Sequence, residues 1–142
     1  MDNGILIVAH APLASALRQG VAHVFPEAMA QVLALDVQAQ DPSEISLAHA
    51  RELARQFQGC PLLILTDLPG ATPCNVARGL LQDFPAGQAR LVAGVNLPML
   101  LRAVTYRADA LPQMLQKVMA GGVQCIVEVP AGQTTGQSKG GT

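Results

Sequence analysis

Aromatic residues are scarce in this chain of 142 residues: three phenylalanines, one tyrosine and no tryptophan, 3% in all. Platforms on which bases or sugar rings could stack are correspondingly few, which argues against single-stranded nucleic acid and lectin-type carbohydrate binding. Charge is scarce as well, at 13%, and nine Lys and Arg against ten Asp and Glu leave a net charge of -1. There is no basic field for a phosphate backbone and no acidic tail, so nucleic acid is not an expected partner. Cys60, Cys74 and Cys125 are odd in number and irregularly spaced. They fit neither a disulfide framework nor a Cys-x-x-Cys metal pair, and a reducing cytoplasmic setting is expected. Met1-Asp2-Asn3 lacks the positive region of a signal peptide, and no apolar run approaches the ~20 residues of a membrane helix. The expectation is a soluble, unprocessed protein without direct membrane insertion.

What the chain does have is aliphatic bulk, 50% hydrophobic residues, enough for one domain with a substantial core. Gly4-Ile5-Leu6-Ile7-Val8-Ala9-His10 is a β-branched and aliphatic run ending in an ionisable group, which reads as a buried central strand with His10 at its carboxyl end. Leu13, Leu17, Val21 and Val24 then recur at steps of three and four, one face of a helix that Pro12 starts. Val32 to Leu35 is a second strand. Asp41-Pro42-Ser43-Glu44 predicts a capped helix start, with Ile45, Leu53, Ala54 and Phe57 facing inward as far as Gly59. Pro61 to Thr66 is the third strand, and the turn-rich stretch Asp67 to Asn75 leads into a third helix, for which Thr72 is the predicted cap and Pro73 the first helical residue. Ala89 to Val95 is the fourth strand, Leu97 to Tyr106 a helix, and Ala110 to Ala120 another that Gly121-Gly122 ends. Val123 to Val129 predicts a fifth strand. The domain is expected to span residues 1–130, with 131–142 a flexible polar tail.

Alternating strands and helices imply right-handed parallel β-α-β units, a small doubly wound α/β fold with helices on both faces of the sheet. With strand order 2-1-3-4, ligands belong at the carboxyl ends of strands one and three, where the order switches. His10 and Asp67 then face each other there.

Position alone leaves His10 as either a strand-end histidine bonded to nearby backbone or a functional group. Asp67 is either a turn residue before Pro69-Gly70 or a partner that fixes the imidazole tautomer and leaves the other nitrogen nucleophilic. Gly70, Ala71 and Thr72 favour the second reading of both, because they bring main-chain N–H groups and a helix amino end to the same crevice, a setting for a phosphoryl group. His23 and His49 fall within helices and are less promising. Neither glycine-rich nucleotide signature is present, so Asp36 after strand two reads as a loop residue rather than a ribose acceptor. No G-x-S-x-G elbow exists. Cys74 reads as a packed small residue, and His10 with Asp67 is too small a set for a metal. Neither metal nor cofactor is expected.

Three blocks together resemble the IIA domain of the mannose-type family of the bacterial phosphoenolpyruvate-dependent sugar phosphotransferase system. Gly4 to His10 is similar to that family's first strand ending in the phosphorylated histidine. Asp67 to Asn75 is similar to its D-x-x-G-G-[ST]-P-x-N block, and Gly94-Val95-Asn96-Leu97-Pro98-Met99-Leu100 to its G-x-N-x-P-M-L block. The resemblance covers about residues 4 to 129. It implies that His10 accepts a phosphoryl group from the histidine-containing phosphocarrier protein and passes it to a IIB-type partner or a regulator, with Asp67 orienting His10, Gly70, Ala71 and Thr72 binding the phosphoryl group, and Pro73, Asn75 and Asn96 in support. It also implies a homodimer in which Val123 to Val129 joins the partner's sheet as an antiparallel strand. Two positions depart from the pattern, Ala11 and Ala71, where the family has glycine; altered loops or altered transfer would follow.

Other readings are a non-catalytic regulatory module binding through the same crevice, the phosphotransfer subunit of a dihydroxyacetone kinase, and, by fold alone, a flavodoxin-like binding module.

Overall fold

The computed structural model describes residues 2–132. Four strands form one parallel sheet in the order β2-β1-β3-β4: β1 (Gly4–His10), β2 (Val32–Val37), β3 (Leu62–Thr66) and β4 (Ala89–Ala93). Central β1 pairs Val8 with Leu35 on one side and with Thr66 on the other. Its residues Ile5, Leu6, Ile7, Val8 and Ala9 are wholly buried, which explains the unbroken apolar run: a central parallel strand is covered on both faces.

Alternation along β1 divides the core. Ile5, Ile7 and Ala9 face α1 (Leu13–Val24), α4 (Leu97–Thr105) and α5 (Leu111–Gln124), while Leu6 and Val8 face α2 (Ser43–Arg55) and α3 (Thr72–Leu81). The predicted order 2-1-3-4 and the helices on both faces hold.

Several helix details differ from the sequence reading. On α1, Leu13 and Val24 are exposed and the inward stripe is Ala14, Leu17 and Val21; small Ala14 permits close approach to the sheet. On α2, Ile45 is exposed, and Ser46 and Ala50 are buried in its place. That helix starts one residue later than predicted, with Pro42 at the cap and no side-chain cap bond from Asp41. A short 3-10 turn over Pro26–Gln31 joins α1 to β2.

The larger correction lies at the end. Gly121-Gly122 does not stop the last helix, which continues to Gln124, and residues 125–130 follow without strand pairing among the described residues. The two glycines serve close packing: a Cβ at 121 would lie 2.6 Å from the Arg102 side chain, and one at 122 would lie 2.7 Å from Met99. Residues 131 and 132 belong to the predicted tail, and the rest of it, 133–142, lies outside the described residues.

Candidate functional site

The register places the ends of β1 and β3 side by side. Val8 is opposite Thr66, so the chain leaves β1 at His10 and β3 at Asp67 on the same edge of the sheet. Asp67 Oδ2 accepts two bonds from one residue, from the His10 main-chain N–H at 3.1 Å and from the ring Nδ1 at 2.7 Å. Its other oxygen, Oδ1, accepts from the Leu68 N–H at 3.0 Å. The Asp67 side chain is 10% exposed and that of His10 47%, so the carboxylate lies beneath an imidazole that reaches solvent.

Burial by itself pushes the Asp67 carboxyl up, but the hydrogen bonds from the His10 ring and main chain and the attraction of the ring outweigh it, and the net direction is downward. Asp67 is therefore ionised at neutral pH. An ionised carboxylate only accepts, so Nδ1 carries the proton and the lone pair of the neutral ring lies on Nε2.

Gly70 follows at φ +81°, a left-handed conformation that suits glycine, and leads the chain into α3. Ala71 is the cap residue of that helix, with φ -88° and ψ 171° and no side-chain cap bond. Thr72 is its first helical residue rather than the cap. The first N–H groups of a helix have no partner within it, and they carry the positive end of its dipole. Pro73 and Cys74, in the first turn of that helix, are buried, as expected for Cys74.

Ala71 has an extended backbone that any residue adopts, and among the described residues Gln58 is the one non-glycine with positive φ. Neither alanine that stands where glycine was expected, Ala11 or Ala71, requires a glycine conformation. The Ala11–Pro12 peptide is cis.

Two expected supporting residues, Asn96 and Asn75, make no hydrogen bond to His10 or Asp67 among the described residues. Asn96 caps α4, its Oδ1 accepting from the Met99 N–H at 3.0 Å while its Nδ2 donates to the Gly122 carbonyl at 3.3 Å. It ties α4 to α5. Asn75 is exposed on α3, lining a groove against α2 with Pro42, Glu44, Leu47 and Arg51. His23 and His49 are exposed on their helices. No group of three or more His, Cys, Asp or Glu is gathered as for a metal among the described residues, and no helix there is long and apolar enough to cross a membrane.

Sequence reasoning missed one pair. Asp36, assigned above to a loop, lies in β2, and its Oδ1 accepts from the Ser15 N–H in the first turn of α1 at 2.9 Å while Oδ2 accepts from the Ser15 hydroxyl. Only the strand order, which puts β2 against β1, could have revealed a contact between residues 21 apart in the chain.

This small parallel α/β sheet, with His10 and Asp67 side by side at its switch point, has counterparts among known proteins. The model of the family described as PTS system fructose IIA component (EIIA-man) matches residues 4–125. The chain belongs to that family, the mannose-type IIA components of the phosphotransferase system. Among solved structures it is similar to the mannose/sorbose specific IIA subunit of the phosphotransferase system from Enterococcus faecalis, at 24% identity and a TM-score of 0.82 over 95% of this chain and 100% of that one. It is also similar to phosphotransferase system component EIIA from Streptococcus agalactiae, at 24% identity and 0.78 over 88% and 95% of the two chains. A third is the PTS IIA protein associated with the fucose utilization operon from Streptococcus pneumoniae, at 18% identity and 0.78 over 90% and 93%. These three likenesses concern the fold.

Proposed function

We propose that His10 is a transient phosphoryl carrier, loaded by the histidine-containing phosphocarrier protein and unloaded to a IIB-type component. The observation that carries this reading is the 2.7 Å contact of Asp67 with Nδ1. It leaves Nε2 as the nucleophile on a side chain 47% exposed. Exposure suits a donor and an acceptor that are themselves proteins, since each must bring its own reactive nitrogen or sulfur in line with the phosphorus.

In the transfer, the Nε2 lone pair attacks phosphorus as the donor N–P bond breaks, and the bonding pair returns to the donor ring. The Nδ1 proton stays in place. The phosphorylated ring thereby gains positive character, which the Asp67 carboxylate balances. The phosphoryl oxygens fall to the N–H groups of Gly70, Ala71 and Thr72 at the amino end of α3. Neither metal nor nucleotide is required, and the setting is cytoplasmic, where the phosphoenolpyruvate-dependent donors operate.

The same reading includes a homodimer. Ile126, Val127 and Val129 are 67–79% exposed on a segment that has no strand partner among the described residues, and a second sheet edge would cover them. Ile126→Asp with Val127→Asp should convert a dimer to a monomer in sedimentation; a variant that stays dimeric would remove this segment from the interface, and a monomeric wild type would remove the dimer itself.

Incubation with labelled phosphoenolpyruvate, enzyme I and the phosphocarrier protein tests the carrier role. Acid-labile label is expected on the wild type and absent from His10→Ala. Equal labelling of both would reject His10 as acceptor.

A further inference from the structure

The segment that carries the histidine is held from both sides. From β3, Asp67 binds the His10 ring and main chain. From β2, the Val37 carbonyl accepts from the Ala11 N–H at 3.1 Å, and the Asp36 carboxylate takes both polar hydrogens of Ser15. Asp36 is the register partner of Ala9, the residue before His10. Its reach to Ser15 therefore closes a bracket around the turn from His10 to the first turn of α1.

The helix has no device of its own for this. Its cap residue is Pro12, which makes no side-chain cap bond, and its first turn contains no acidic residue. The acceptor and the negative charge that a helix amino end favours come from a neighbouring strand. They come at the point where α1 is joined to His10 by two residues.

We infer that Asp36 is a positioning residue for His10: by anchoring Ser15 to β2 it fixes the turn that presents the imidazole, and so maintains the Asp67–Nδ1 contact against the displacements a docking protein imposes. This rests on the carrier role proposed above for its consequence in phosphoryl transfer, although the positioning itself is measurable without phosphate. A second consequence concerns direction. Two helix amino ends follow the His10–Asp67 pair along the chain, that of α1 after His10 and that of α3 after Asp67, and Asp36 already occupies the first. The phosphoryl group is thus directed to the Gly70–Thr72 side.

The test compares wild type, Asp36→Ala, Asp36→Asn and Ser15→Ala as folded proteins, matched by circular dichroism and studied well below their melting temperatures. Nitrogen NMR of the His10 ring at mildly alkaline pH reads the tautomer directly. The wild type should show the Nδ1–H form. Asp36→Ala should show a mixture with Nε2–H, Ser15→Ala a smaller change in the same direction, and Asp36→Asn, which keeps an acceptor for the Ser15 N–H, a return toward wild type. Labelling of Asp36→Ala by the phosphocarrier protein should be about tenfold slower, the scale of a small misplacement of a reacting group.

A purely structural cap would lower the melting temperature and leave the tautomer and the labelling of folded protein unchanged; that result overturns the inference. If Asp36→Ala does not fold, Ser15→Ala, altered at an exposed position, decides: an unchanged tautomer there overturns it equally. Should the wild type take no label, the carrier role fails while the tautomer measurement still decides the part played by Asp36.

Discussion

One oxygen of Asp67, Oδ2, accepts from both the ring Nδ1 and the main-chain N–H of His10, at 2.7 and 3.1 Å. The strand end and the ring it carries are thus tied to the same atom, and the imidazole cannot turn about its side-chain bonds without breaking the shorter of the two contacts. This relationship makes the site sensitive to substitutions that alter shape very little.

Asp67→Asn is the clearest such case. Its amide oxygen can accept from Nδ1–H, but its amide nitrogen can equally donate to an unprotonated Nδ1, which would place the proton on Nε2 and remove the nucleophilic lone pair. The charge that balances the phosphorylated ring is also lost. Labelling of His10 by the phosphocarrier protein should fall by about two orders of magnitude, the usual scale for losing one electrostatic stabiliser. Circular dichroism and the melting temperature should change little.

The acid limb of stability should carry the same signature. The His10 bonds hold the folded Asp67 carboxyl below its ordinary value despite its burial, so the unfolded chain binds the proton more readily. The contribution is fully present above the unfolded aspartate value of about 3.9 and is lost as pH falls through the lower folded value. Urea midpoints measured across that window should fall less steeply for His10→Ala than for the wild type. Parallel curves would show that the contact adds nothing to the folded state.

Gly70 and Ala71 should respond in opposite ways to exchange. Gly70→Ala forces a Cβ into φ +81° and should cost about 1 kcal/mol, with slower labelling as the loop shifts. The extended backbone at Ala71 gains nothing from glycine. Ala71→Gly should therefore neither speed labelling nor raise the melting temperature. A marked gain in rate would mean that alanine there does impair transfer.

Ile7, wholly buried on central β1, has no role in the chemistry and tests the core. Ile7→Ala should lower the unfolding free energy by about 2–5 kcal/mol. Protein that remains folded should keep the wild-type tautomer at His10, because Val8, Ala9 and the β1–β3 register are untouched.

The sequence made the sheet plain and its helical margins less so, for physical reasons. Buried parallel strands are short unbroken apolar runs, and Ile5 to Ala9 and Leu62 to Leu65 can hardly be anything else. His10 and Asp67 were legible as strand-end residues, and strand order made them neighbours. Helix faces were blurred where small residues lie inward: Ala14, Ser46 and Ala50 are buried, while the larger Leu13 and Ile45 reach solvent. Gly121-Gly122 suggested a stop because glycine weakens helices, yet here it admits Arg102 and Met99 to the helix surface. The apolar stretch Val123 to Val129 suits a strand, but among the described residues no strand edge receives it. Asp36 was missed because the second strand was expected to end at Leu35, which left Asp36 in a loop, whereas β2 runs on to Val37.

The location of the phosphorus on the protein tests the central claim most directly. Nitrogen-15 NMR of the ring after loading by the phosphocarrier protein should show phosphorus on Nε2 of His10, with the proton retained on Nδ1 and its signal shifted by a strengthened bond to Asp67. Phosphorus on Nδ1, or a loaded protein whose His10 ring is unmodified, would contradict the account.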